Sequence, residues 1–311
     1  MSKKIATAKP KADDLNEVEE AYALLSVVIP VRNNSTSSLR MLGELYRQRI
    51  EFGLERKVRV IVIDDASDDL TARVLSGETE KFDFTIIKPW NERRGAGAAR
   101  NYGAHYAAER GTLYVAFLDA DDYLNGEALK LIAEKLELAN PDSLIWGFSV
   151  INPDGMNSIW LPKFRNIEDY PQTPVAPWIH ATRPHLLAPF PEELTTDDVI
   201  WWIRQAEILK SCRAAVTVID EKPIYIYDKT QGGCTRAQMY FELHPTTLET
   251  AAVENTCKAH GFPDRYISDT LRNLAAMYDL RHEISDPDVR KVWLNRFRQE
   301  IQGIWTGRYC W

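Results

Sequence analysis

Four short runs of branched and aromatic apolar residues, each followed by a polar turn, constrain this chain more than any other feature. Residues 24–31 (LLSVVIPV), 58–63 (VRVIVI), 84–87 (FTII) and 113–118 (LYVAFL) are apolar almost without interruption. A strand can be apolar on both faces only when both faces are covered. Amphipathic stretches lie between the runs. Asn33, Asn34 and Ser35 supply cap residues for a helix with Leu39, Leu42, Tyr46 and Ile50 on one face. A short helix follows residues 64–67, another covers about 99–108 and stops at Gly111, and one over about 126–139 leads into a strand at 144–150. The alternation predicts an α/β chain with a mostly parallel sheet flanked by helices. Ligands in such sheets sit beyond the carboxyl ends of the strands.

Beyond that core the pattern changes. Residues 152–195 hold eight prolines (Pro153, Pro162, Pro171, Pro174, Pro177, Pro184, Pro189 and Pro191) and read as one long irregular segment of the kind that is usually functional. Thr195, Thr196, Asp197 and Asp198 open a helix carrying Trp201, Trp202 and Ile208, and residues 214–220 and 223–227 read as a closing pair of strands. After Gly232-Gly233 the chain reads as mainly helical. There Trp293, Phe297, Ile301, Ile304 and Trp305 stand at helical spacing among Arg290, Lys291, Arg296 and Arg298.

Acidic residues (45) outnumber basic ones (38), giving a formal charge of −7, which argues against a dedicated nucleic-acid binder. Cys212, Cys234, Cys257 and Cys310 stand far apart, so neither a structural zinc site nor a disulfide framework is expected, and reduced thiols point to an intracellular protein. The first 20 residues lack the apolar core of a secretory signal. No apolar run approaches the roughly 18 residues needed to span a bilayer.

Four polar clusters carry the chemistry. Asp119-Ala120-Asp121-Asp122 follows six apolar residues, and carboxylates crowded at a strand end repel one another unless a cation joins them. Asp119 and Asp121, two apart, suit one oxygen-loving ion, Mg²⁺ or Mn²⁺. The plain alternative is an acidic turn in which Asp122 caps the next helix. A calcium loop is excluded by Tyr123 and Leu124. Asp64-Asp65-Ala66-Ser67 reads either as a helix cap through Ser67 or as a carboxylate accepting from a nucleobase or ribose. In residues 91–101 (NERRGAGAARN) the small residues and Arg93, Arg94 and Arg100 make a place for phosphates at a helix start. A dinucleotide fingerprint is rejected there, since the motif follows the third strand and lacks the last glycine. Thr196-Asp197-Asp198 reads as a cap, or as a general base whose strength the helix start would reduce.

In this order, 27–33 (VVIPVRN), Asp64 to Ser67, Arg94 to Asn101 and 118–122 (LDADD) resemble the family 2 glycosyltransferases of GT-A fold, over about residues 24–230. The resemblance implies a Rossmann-like GT-A domain over 23–235, with a nucleotide-sugar half (23–125) and an acceptor half (126–235). An N-terminal tail (1–22) and a C-terminal helical extension (236–311) flank it. It implies inverting, metal-dependent transfer from a nucleotide-sugar, a UDP-sugar, to a hydroxyl of a glycan or lipid-linked acceptor, in bacterial surface polysaccharide synthesis. Pro30, Val31 and Arg32 would line the nucleotide pocket with Asp65 on the base. Arg94, Arg100, Asp119 and Ala120 would hold the rest of the donor, and Asp119 and Asp121 the Mn²⁺ or Mg²⁺. Asp198 falls on the catalytic base, and Asp197 stands where the family has Glu. The family's basic closing loop would map to Lys229, Thr235 and Arg236, displaced by Gln231-Gly232-Gly233.

Two rivals are a sugar-phosphate nucleotidyltransferase, which wants a Gly-rich basic loop after the first strand that residues 30–34 do not provide, and a non-catalytic binding protein of the same fold. The acceptor is expected near Trp178, His180, Arg183 and His185. The C-terminal Trp/Arg stretch is expected to pack in the core or form a dimer seam, with peripheral contact to the inner membrane of a cytoplasmic enzyme as the alternative.

Overall fold

In a computed structural model, the described residues are 22–228 apart from 70, 153–154, 156, 165–166, 173–175 and 193–196, together with residue 287. Strands β1 (Ala23–Val31), β2 (Val58–Asp64), β3 (Thr85–Ile87) and β4 (Thr112–Phe117) run parallel in the order β3-β2-β1-β4. Val31 is level with Asp64, so β1 and β2 end together, while Phe117 is level with Val28 and β4 ends three residues earlier. Leu25, Val27, Val28, Ile29, Val60, Ile61 and Val62 are buried, as strands covered on both faces must be.

Helices α1 (Ser35–Glu51), α2 (Thr71–Phe82), α3 (Ala96–Glu109) and α4 (Ala128–Ala139) make the crossovers. Helix α1 buries a face rotated from the predicted one, sharing Leu42 with it while Tyr46 packs at its border. Ile50 is half exposed, while Met41, Leu42, Leu45, Gln48 and Arg49 face inward. The two polar residues find partners there, with Arg49 Nε alone left without one among the described residues. Gln48 accepts from Leu129 N–H at 2.9 Å and donates to the Asn125 carbonyl at 2.8 Å, capping α4. Arg49 donates to the carbonyls of Glu55, Phe82 and Asp83. Asn34 occupies the N-cap position of α1 without a side-chain cap bond. Helix α3 lies so close to the sheet that a Cβ on Gly103 would stand 2.3 Å from Val28 Cγ1.

The second half departs from the sequence expectation in two places. The Pro-rich segment is structured: it holds β7 (Asn157–Trp160), β8 (His180–Thr182) and 3₁₀ turns at Ile167–Gln172, Pro177–Ile179 and Pro184–Leu186. Strand β8 fills the middle of the sheet, antiparallel to β4 and to β6 (Ser143–Ile151). The expected pair of closing strands is one strand, β9 (Val216–Asp228), parallel to β6. Its ladder shifts where Pro223, which has no N–H to donate, lies opposite Gly147. Strand β5 (Tyr123–Leu124) pairs with β9 and completes a nine-stranded sheet among the described residues. Helix α5 (Asp197–Ser211) buries Trp201, Trp202, Ala206 and Leu209. Gln205 on α5 clips the Ala188 N–H and Leu186 carbonyl, and Trp201 Nε1 donates to the Ala188 carbonyl. The N-terminal tail, Lys229, Thr235 and Arg236, and the C-terminal Trp/Arg stretch lie outside the described residues.

Candidate active site

The loops after β1 and β2 are sewn together by side chains. Arg32 donates through Nη1 to the Asp65 and Ala66 carbonyls (2.9 and 2.7 Å) and through Nη2 to Asp68 (3.1 Å). Asn33 and Asp68 bond in both directions, and Asn33 N–H donates to Ser67 Oγ. Ser67 therefore serves this seam and is not the helix cap that the sequence suggested: the Thr71 N–H of α2 goes to Asp69. Val31 is buried and Pro30 half-buried at the same edge. Asp65 reaches across to the start of α3, where its carboxylate accepts from Trp90 Nε1 (2.8 Å), Arg94 N–H (2.8 Å) and Gly95 N–H (2.9 Å). A carboxylate has roughly four acceptor positions, so about one stays available to a ligand N–H.

The acidic rim begins where β4 ends. Arg100, buried on α3, donates to Asp119 Oδ1 at 2.8 Å and to Asp198 Oδ1 at 3.2 Å. One guanidinium thus joins a carboxylate from the sheet edge to one from the first turn of α5. Asp197 is the first residue of that helix. Ala120 is buried between the two acids of the Asp119/Asp121 pair. Burial, reinforced by the Asp119 charge, pushes the Asp121 carboxyl up to about 6. Burial together with Asp119 and Asp121 pushes Asp122 up to about 8. Arg40 on α1 partly offsets this: it donates to the Asp121 carbonyl at 3.0 Å and lies over the Tyr123 ring.

Asp122 does not cap α4. Its carboxylate accepts from Tyr225 OH at 2.5 Å and from Asp228 N–H at 2.9 Å, tying the acid turn to β9, and the N-cap of α4 is Glu127. Tyr225 stacks on Trp178 at 4.4 Å. Tyr227, also against Trp178, is pushed up to about 12 by burial and by the charges of Asp122, Asp119, Asp121 and Asp198.

The segment before α5 is fastened to α3. Asn101 accepts from Phe190 N–H and donates to the Phe190 carbonyl, both at 2.8 Å, and to Glu192 at 3.2 Å. Arg94 pairs with Glu192 at 2.8 Å. Phe190 stacks on Trp201 at 5.1 Å, and Phe117 meets both rings edge-on. The expected acceptor cluster is not gathered at this rim. His180 is core, packed between Tyr170 and Trp201, and burial pushes it down to about 3. Arg183 bonds Asn140, and His185 is exposed. Only Trp178 lies at the rim, under Tyr225 and Tyr227. The sequence reading missed Arg40, Tyr225, Tyr227 and Asp228; the alternation of tyrosines up to Asp228 at the end of β9 was the available signal.

Among the described residues no three His, Cys, Asp or Glu side chains form a ready-made metal cage. The donor chemistry nonetheless fits a hard cation: Asp119 and Asp121 offer carboxylates two residues apart, and burial with the Asp119 charge raises Asp121. Mg²⁺-type ions are commonly held by one or two carboxylates and completed by phosphate oxygens.

Comparison with known proteins adds to this geometry. The family model described as "Glycosyl transferase family 2" matches residues 26–194, more than half of the chain. A stretch of 131 residues, 42% of this chain, is 27% identical to the poly(ribitol-phosphate) beta-N-acetylglucosaminyltransferase TarS of Staphylococcus aureus. Another of 142 residues, 45% of the chain, is 31% identical to the putative teichuronic acid biosynthesis glycosyltransferase TuaG of Bacillus subtilis. These matches span 22% and 44% of the relatives' own lengths. The crystal structure of S. aureus TarS 1–349 in complex with UDP-GlcNAc superposes with a TM-score of 0.54 at 20% identity, over 90% of this chain and 81% of that one. The mannosyltransferase PcManGT of Pyrobaculum calidifontis, in complex with GDP-Man and Mn²⁺, gives 0.52 at 16% identity, over 93% and 81%. The mixed sheet with its flanking helices is thus a GT-A fold, and with a family match that spans the loops after β1 and β2 and the acid turn after β4, this chain belongs to glycosyltransferase family 2.

Proposed function

We propose that this chain moves a sugar, with inversion, from a nucleotide-sugar, a UDP-sugar, to a hydroxyl of an anionic cell-wall polymer of the teichoic or teichuronic type, with Mn²⁺ or Mg²⁺. The names of the relatives support the polymer class, and the UDP-GlcNAc and Mn²⁺ complexes of the neighbours support donor and ion. One observation carries the mechanistic reading: a single guanidinium holds Asp119 and Asp198, so the acid assigned to the donor side and the acid assigned to the acceptor side lie within reach of one side chain.

In this reading the base lies against Asp65 and the edge formed by Pro30, Val31 and Arg32. Asp119 and Asp121 hold the cation, whose role when bound is to offset charge developing on the departing diphosphate. Arg94, just before the Gly95 N-cap of α3, adds positive potential at a helix N-terminus. Asp198 takes the proton of the attacking hydroxyl, a contribution of roughly 10²–10⁴ in rate, and Asp197 beside it is the second acid of the pair. The turn after β1, closed by Arg32 and Asn33, is not the open glycine loop a nucleotidyltransferase would use. Contact of the C-terminal Trp/Arg stretch with a membrane face or a second copy belongs to the same proposal; among the described residues no helix is long and apolar enough to cross a membrane.

The test is Asp198→Asn, assayed with UDP-GlcNAc and Mn²⁺ for transfer to a ribitol-phosphate polymer and for slow donor hydrolysis. Turnover should fall by at least about 10²-fold with UDP binding intact. Near-normal transfer by this variant overturns the assignment.

A further inference from the structure

A buried arginine whose two arms end on carboxylates from different parts of the fold is an unusual way to build a phosphate site. Arg100 is 5% exposed at its side chain. Nη2 meets Asp119, just past β4, and Nη1 meets Asp198, one residue into α5. Its guanidinium carbon lies 5.2 Å from the centre of the Phe190 ring, and the next residue, Asn101, holds the Phe190 backbone from both sides. Helix α3 is therefore the piece against which the donor-side strand end and the acceptor-side helix are both set.

The chemistry of the side chain matters here. A planar guanidinium fork prescribes the separation and direction of the two oxygens it holds, whereas an ammonium is a compact point charge that prescribes neither. Asp119 and Asp198, both partly desolvated, would repel each other, and one cation between them offsets that repulsion while fixing their spacing.

We propose that Arg100 is a positioning residue rather than a phosphate ligand: it registers Asp198 against Asp119, so that the acid that takes the acceptor proton stands at a set distance from the acid that holds the donor side. The inference rests on the proposed role of Asp198 and adds to it the device that aims this carboxylate. It also replaces the expectation that Arg100 binds the diphosphate directly.

Arg100→Lys keeps the charge without the fork, and Arg100→Gln removes both. Each is measured alone and combined with Asp198→Asn, using UDP-GlcNAc with Mn²⁺ for turnover and UDP with Mn²⁺ for calorimetric binding. Both single variants should lower kcat by about 100-fold, the scale of a roughly 1 Å misplacement. Donor KM and UDP Kd should stay within about threefold, and neither change should lower turnover further in the Asp198→Asn background. A weakening of UDP binding by about tenfold or more with kcat preserved makes Arg100 a phosphate ligand and overturns the inference. So do effects that multiply in the double variants. Denaturant unfolding checks that each variant folds, and Arg100→Lys decides the matter if Arg100→Gln does not. An inactive Asp198→Asn beside an Arg100→Lys of normal kcat sinks this inference alone; an active Asp198→Asn sinks the proposed function itself.

Discussion

Removing the Asn101 amide would separate two readings of α3, as a mere sheet cover or as the frame of the acceptor side. In Asn101→Ala, the Phe190 N–H and carbonyl each lose a 2.8 Å partner, and Glu192 loses one at 3.2 Å. Phe190 is buried under Trp201 and Phe117, so water cannot readily replace the lost bonds. A buried group left without its partner costs about 1–3 kcal/mol. Both bonds are part-buried, so each lies in the lower half of that range and the two together give a loss of about 2–4 kcal/mol. At about 2–4 °C per kcal/mol for a chain of this size class, Tm should fall by roughly 4–16 °C. Asn101→Asp sharpens the test. It keeps the acceptor for Phe190 N–H but places a carboxylate beside Glu192, so its deficit should shrink at acid pH, where a carboxyl can donate. Turnover in either variant should fall more than stability predicts, because the segment leading to Asp198 is released. The assays are urea unfolding and donor turnover on the same preparations. A stability loss below about 0.5 kcal/mol, or full turnover in a variant that is clearly destabilised, would refute the clasp.

The acid turn gives a pH prediction. Asp121 near 6 and Asp122 near 8 lie above the ordinary carboxylate value, so their contribution is fully present below about pH 4 and lost as pH rises through those values. With chelator present, urea resistance should therefore decline from pH 5 to pH 8, and Asp122→Asn should flatten that decline; equal slopes in the two proteins contradict it. Gly103→Ala should cost at least about 1 kcal/mol in denaturant unfolding, since the new Cβ would meet Val28 Cγ1 at 2.3 Å and overpacking outweighs the gain in helix propensity. At Ala66, where φ is +53°, Gly should be tolerated while Val loses about 1–2 kcal/mol, measured the same way.

The parallel half of the sheet was legible because its signal is local. The largely apolar runs at 58–63, broken only by Arg59, and 113–118 became β2 and β4 with ends shifted by one residue, and most of their residues are buried. Strand β8 was not legible, since three residues after a proline-rich stretch carry no periodicity and their place between β4 and β6 is set by pairing distant in the chain. The join of 214–220 and 223–227 into one strand was hidden by Pro223, which reads as a breaker but is accommodated by a register shift at Gly147. In helix α1 the buried face escaped an apolar count because Gln48 and Arg49 pack inward on carbonyls. At the site, Asp65, Asp119, Asp121 and Asp198 stood out as charges at element ends. What each one bonds did not: whether Asp122 caps a helix or grips Tyr225, and whether Arg100 faces phosphate or carboxylates, depends on elements that meet only in the folded chain.

The central proposal is that the carboxylates at the end of β4 hold a pyrophosphate through a divalent ion. Calorimetric titration of UDP into the protein, with Mn²⁺ and then with chelator, for the native chain and for Asp121→Asn, addresses this directly. Binding should strengthen by about 100-fold or more with Mn²⁺ in the native chain, a coupling of roughly 3 kcal/mol, and the variant should lose that gain while keeping its fold. UDP that binds equally well with and without the ion, or a variant that keeps the full Mn²⁺ effect, would contradict it.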